Sequence, residues 1–158
     1  MTKKGSGTFF GQDFAGRAEK WFLTPLLWVA VLIAAASLRL ARLENRPMHC
    51  DEAVHADKFR LLLEHGDYTY NPYEYHGPSL NFLTLPIARL AGLEKLTEVT
   101  EIHLRLLPAI FGIVLVGLVW LLRDELGRGA ALTAAVLTAV SPAMVFFSRY
   151  YIQEMLLV

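Results

Sequence analysis

Trp21-Phe22-Leu23-Thr24-Pro25-Leu26-Leu27-Trp28-Val29-Ala30-Val31-Leu32-Ile33-Ala34-Ala35-Ala36-Ser37-Leu38 is a run of 18 residues without a charge, and its reading decides the fold class. As a helix rising about 1.5 Å per residue it extends over roughly 27 Å, close to the hydrocarbon thickness of a bilayer. Two further runs share the property: Leu106 to Leu122, 17 residues, and Gly129 to Ser148, 20 residues. The first is too long for the apolar core of a signal peptide, and no small-x-small site precedes its exit at Arg39 and Arg42, so it reads as a retained span. Pro25 falls near its start, where a missing N–H costs little. Trp21 and Trp28 suit the aromatic belt of the cytoplasmic interface. The expectation is an all-α polytopic membrane protein with transmembrane helices at 21–43, 104–122 and 129–148.

Composition agrees: 54% of the 158 residues are hydrophobic and 19% charged, with zero net charge. That zero hides an asymmetry. The tail at 1–20 carries Lys3, Lys4, Arg17 and Lys20, and the turn at 123–128 carries Arg123 and Arg128, whereas Glu44 to Glu101 holds five basic and ten acidic side chains. The positive-inside rule puts the tail and the turn in the cytoplasm and the loop at 44–103 outside. Arg39 and Arg42, at the outer end of the first span, are expected to snorkel to headgroups. The single cysteine, Cys50, excludes an intrachain disulfide. No basic patch interleaved with aromatics suggests nucleic acid.

The outer loop is too long for a mere connector. It reads as a helix over about 51–65, with Val54, Phe59, Leu62 and Leu63 as its apolar face and Gly66 as its stop. A tyrosine-rich stretch follows over 67–78, then a second helix over about 78–91. The second helix is too short to span and apolar on most sides, as an interfacial element would be. The third apolar run is rich in Ala, Gly and Thr, which lets helices approach closely in lipid. Pro142 marks its outer end, so 149–158 emerges on the same face as Asp51. The chain stops within an apolar pattern at Glu154 to Val158 and reads as the N-terminal piece of a longer protein.

Chemistry concentrates in Arg46-Pro47-Met48-His49-Cys50-Asp51-Glu52-Ala53-Val54-His55-Ala56, with two carboxylates and two imidazoles in seven residues. A carboxylate near the bilayer surface is partly desolvated, which raises its pKa and suits a general base or a divalent-cation ligand. Adjacent helical residues point about 100° apart. Asp51 and Glu52 therefore do not act on one atom, and one of them is a structural partner. Two plainer readings stand beside this: Asp51 as an N-cap, and His49, Asp51 and His55 as a metal site.

Four segments carry a resemblance: Arg46 to Ala56 as quoted, Tyr75-His76-Gly77-Pro78-Ser79-Leu80, Arg105-Leu106-Leu107-Pro108-Ala109-Ile110-Phe111-Gly112, and Ser141 to Met155. In this order they are similar to the N-terminal third of a GT-C membrane glycosyltransferase, from about Trp21 to Val158. The branch is that of protein O-mannosyltransferases and the lipid A aminoarabinose transferase, nearest a group labelled flippase-activity-associated. The resemblance implies a polyprenyl-phosphate-linked sugar as donor, an acceptor that is a protein, glycan or lipid, and a site on the extracytoplasmic face of the cell membrane. It makes Asp51 the catalytic base and Glu154, where many relatives carry Asp, a residue for the acceptor or a cation. Arg149 and His76 fall to the donor phosphate, with Glu52 and His55 in support. It implies no cofactor, with a divalent cation as the open alternative. In-line attack on the anomeric carbon would invert it. The competing reading is a non-catalytic membrane protein assisting the translocation or assembly of lipid-linked sugars.

Overall fold

A computed structural model describes the backbone of residues 8–157 apart from 72 and 74–76, and the side chains from Thr24 onward outside those positions. Among the described residues the structure is helical, without strands. The all-α expectation holds. Helix α1, Thr8–Leu40, begins earlier than the polar tail suggested and carries Pro25 without interruption. Helix α2 is Cys50–His65, ended by Gly66 at φ 68° with its N–H on the Leu62 carbonyl, as the sequence predicted. Helix α3 is Ser79–Leu90 and α4 is Glu101–Leu118, which continues through a 3₁₀ turn at Val119–Leu122. The link at 123–128 contains a one-turn helix, α5, Arg123–Leu126.

Two helical stretches are long and apolar enough to cross a membrane, Thr24–Asn45 and Glu101–Leu126. The third apolar run is not one straight helix. It divides into α6, Arg128–Val140, and α7, Pro142–Ser148, bent by 58°. The cause is Pro142, which has no N–H to continue α6 and pushes Ser141 out of the helical region, to φ −55° and ψ 121°. Ser141 Oγ then accepts the Met144 N–H and restarts the helix.

The bend explains a charge that the sequence misassigned. Arg39 does not snorkel; it is fully buried and carries no carboxylate partner among the described residues. Its guanidinium donates to the Thr138 and Ala139 carbonyls (3.2 and 2.9 Å), which end α6, to Ala35 O and to Ser148 Oγ. Carbonyls orphaned by the break, at the negative end of the α6 dipole, neutralise it.

Helix α4 runs through two stacked cores. In one, Trp28, Ala35 and Val116 meet Ala131, Ala135 and Ala139, a small-residue stripe at helical spacing that lets α6 approach closely. Trp28 is buried edge-on against Trp120 at 4.9 Å, so it is a packing residue and not part of an interfacial belt. The Trp21 side chain lies outside the described residues. The other core joins the outer-loop helices to the start of α4, through Phe59, Leu63, Leu80, Leu104, Leu107 and Tyr151. Val54, expected in the apolar face of α2, is 47% exposed; Glu52, His55 and Ala56 are buried instead.

Candidate active site

The start of α2 is built around Glu52. His49, not Asp51, is the N-cap: its Nδ1 accepts the Asp51 N–H (3.3 Å), and its own N–H donates to Glu52 Oε2 (3.0 Å). This reciprocal pair satisfies two of the donors a helix start leaves open. Asp51 is thus released from capping, and its side chain is 61% exposed.

Glu52 is fully buried. Arg105, from the first turns of α4, meets it with two parallel bonds: Nε to Oε1 at 2.8 Å and Nη2 to Oε2 at 2.9 Å. Arg46 adds Nη2 to Oε2 at 3.0 Å, and the Tyr151 N–H donates to Oε1 at 2.9 Å. Burial alone would push this carboxyl up; the bonds from Arg105, Tyr151 and His49 outweigh it and hold Glu52 below its ordinary range. Arg105 itself is buried, with its remaining N–H groups on the Leu43, Arg46 and Pro47 carbonyls. One ion pair therefore ties together the end of the first span, the approach to α2, α4 and the segment after α7.

The Glu52–Tyr151 bond brings residues 150–154 alongside the start of α2. The Tyr150 ring lies 5.5 Å from the His49 ring, and the Arg46 guanidinium stacks over Tyr150 at 4.2 Å. Tyr151 is buried with its hydroxyl on Thr84 Oγ1 and Asn81 Oδ1 of α3, at 3.2 and 3.4 Å; burial raises its pKa. Gln153 Nε2 donates to the Gly77 carbonyl. Glu154 is exposed and opens the short helix α8, Glu154–Leu157. Asp51 and Glu154 thus sit on adjoining segments held together through their neighbours.

The remaining expected site residues divide. His55 is buried, its ring edge-on to Tyr151 at 6.2 Å. Arg149, at the end of α7, spends its guanidinium on the last carbonyls of α1 and the turn after it: Leu38, Arg39, Ala41 and Arg42. Arg42 is held there in the left-handed region, at φ 52°. His76 lies outside the described residues. The metal grouping suggested by spacing is not the one formed. His49, Cys50 and Asp51 place their ligand atoms within 4.8 Å of one another in the open, while His55 turns inward.

Arg46, Arg105 and Tyr151 escaped the sequence reading. An Arg at the mouth of an apolar run, three residues before Pro108, looks like an interfacial flank. Its bidentate partner lies 53 positions away. No local signal chose Arg105 from the several arginines that stand near the span ends.

No curated protein and no solved structure matches the chain. A family model described as dolichyl-phosphate-mannose-protein mannosyltransferase matches residues 28–158, a stretch that contains α2 to α8, most of the span portion of α1 and the whole Glu52 cluster. On that match, the chain belongs to the dolichyl-phosphate-mannose-protein mannosyltransferase family.

Proposed function

We propose that this protein transfers a sugar from a polyprenyl-phosphate donor to an acceptor hydroxyl at the extracytoplasmic face, with inversion at the anomeric carbon, and that Asp51 is the general base. The family supports the coarse part, a membrane glycosyltransferase with a polyprenyl-phosphate-linked sugar as donor and a protein acceptor. The finer branch proposed is the flippase-activity-associated group resembled by the four motifs.

The observation that carries the assignment is the division of labour within the Asp-Glu pair. Glu52 is consumed by Arg105, Arg46 and two backbone N–H groups, whereas Asp51 is left exposed on the first turn of a helix pinned by that same cluster. A base must reach the acceptor hydroxyl and must not move relative to the donor; a rigid helix start beside an anchored ion pair supplies both. Glu154, exposed on the adjoining segment, is assigned to the acceptor or to a divalent cation. Arg149 contributes positive potential on the phosphate side, with His76 as a further donor-phosphate contact.

The test is transfer from a polyprenyl-phosphate sugar by the full-length protein. Asp51→Asn is expected to lower the rate by about 10²–10⁴ while folding normally. Undiminished transfer by Asp51→Asn removes Asp51 as the base, whereas absence of transfer by the wild type favours a non-catalytic role in handling lipid-linked sugars.

A further inference from the structure

Three arginines from separate parts of the chain line one small cavity. Arg46 precedes α2, Arg105 belongs to α4 and Arg149 ends α7; with Leu43 and Phe146 they enclose about 100 Å³. Among the described residues a single carboxylate pairs with any of them: Glu52, shared between Arg46 and Arg105. Three guanidinium charges thus face one counter-ion at a partly buried place. Such an excess of like charge is unfavourable unless an anion or oriented dipoles offset it.

The three differ in how their N–H groups are spent. Arg105 is engaged by Glu52 and three carbonyls, and Arg149 by four carbonyls. Arg46 gives one N–H, from Nη2, to Glu52 and has no other acceptor among the described residues. It is nevertheless held in place, over the Tyr150 ring at 4.2 Å and near Phe146 at 5.5 Å, with 38% of its side chain exposed. A planar fork, oriented by stacking and with donors to spare, is the arrangement that binds phosphate oxygens.

The cavity has room for about three waters, enough for one phosphoryl group and too little for a hexose. At its rim Phe146 is 51% exposed, with Phe147 beside it. An apolar chain attached to the phosphate has a surface to run along. The geometry points to a lipid-phosphate site in which the phosphate seats in this cavity and Arg46 is its direct contact, a role not given to Arg46 by the sequence. That the lipid is the polyprenyl donor or product rests on the transferase reading above. Asp51 stands one aromatic ring away: Tyr150 carries Arg46 on its face and neighbours His49, whose Nδ1 is 3.4 Å from the Asp51 carboxylate.

Binding to the full-length protein in detergent, followed by the ligand-dependent rise in Tm, tests this with three probes: farnesyl phosphate, farnesol and inorganic phosphate. The wild type is expected to bind farnesyl phosphate and neither of the others at the same concentration. Arg46→Gln is expected to weaken that binding at least about tenfold, with Arg46→Lys intermediate because it keeps the charge and loses the fork. If Arg46→Gln does not fold, Phe146→Ser serves: it should weaken farnesyl phosphate by several-fold. Equal binding by wild type and both variants overturns the site. Equal affinity for inorganic phosphate overturns the lipid occupant and makes this a free-phosphate pocket. Asp51→Asn should bind farnesyl phosphate like the wild type, so failure of the catalytic reading and failure of this one give different results.

Discussion

Asp51 and Glu52 are chemically alike and adjacent, yet the fold gives them opposite environments. An ionised carboxylate is tolerated in a buried place only when it is paired and hydrogen-bonded throughout, and Glu52 is. Removing its charge strands Arg105. Glu52→Gln is expected to cost about 3–5 kcal/mol, and Asp51→Asn, exposed, less than about 0.5 kcal/mol, both by chemical denaturation in detergent. The same pair sets an acid limit. The folded state holds the Glu52 carboxyl below its ordinary 4.5, so its contribution is fully present above that pH and is lost as pH falls through the folded value. Melts across this acid range should show a steeper slope in the wild type than in Glu52→Gln. Gly112 is a residue-scale constraint of another kind. A Cβ there would lie 2.1 Å from Ser148 Oγ and 2.9 Å from Arg39 Nε. Gly112→Ala should therefore destabilise by about 1–3 kcal/mol, and Ser148→Gly in the same chain should recover part of it; the double variant's unfolding curve decides.

At the scale of elements, two helix ends are closed by arginines exchanged between them. Arg39 of α1 satisfies the carbonyls that end α6, and Arg149 at the end of α7 satisfies those that end α1. A guanidinium with several donors suits a helix C-terminus, where orphan carbonyls and the dipole are both negative. This exchange fixes the bent α6–α7 pair against α1. It also sets the height at which Tyr150 and Tyr151 leave α7 to meet α2. Arg149→Gln keeps some hydrogen bonding and loses the charge. It should lower stability by about 1–2 kcal/mol and speed amide exchange in the last turn of α1, measured by hydrogen-exchange mass spectrometry.

For the whole molecule the question is which side of the membrane the cluster faces. The proposed orientation has a direct readout, because Cys50 is the sole cysteine of these 158 residues and is exposed beside Asp51. A membrane-impermeant maleimide applied from the extracytoplasmic side of intact cells should label Cys50. A cysteine placed at Glu125, in the turn between spans, should react only after permeabilisation. The reverse pattern inverts the topology and removes the extracytoplasmic site.

Helical class, apolar spans, the two loop helices and their glycine stop were legible in the sequence, because hydropathy, periodicity and capping are local properties written in neighbouring residues. So was the rule that one member of the Asp-Glu pair must be structural, since it follows from helix geometry alone. That Glu52 pairs with Arg105, that Arg39 is buried, that Arg149 serves carbonyls and that Arg46 shares a cavity with it were decided only in three dimensions. Each depends on a partner dozens of residues away, and a guanidinium chooses between water, headgroup, carboxylate and carbonyl according to what the packed helices bring within about 3 Å of it.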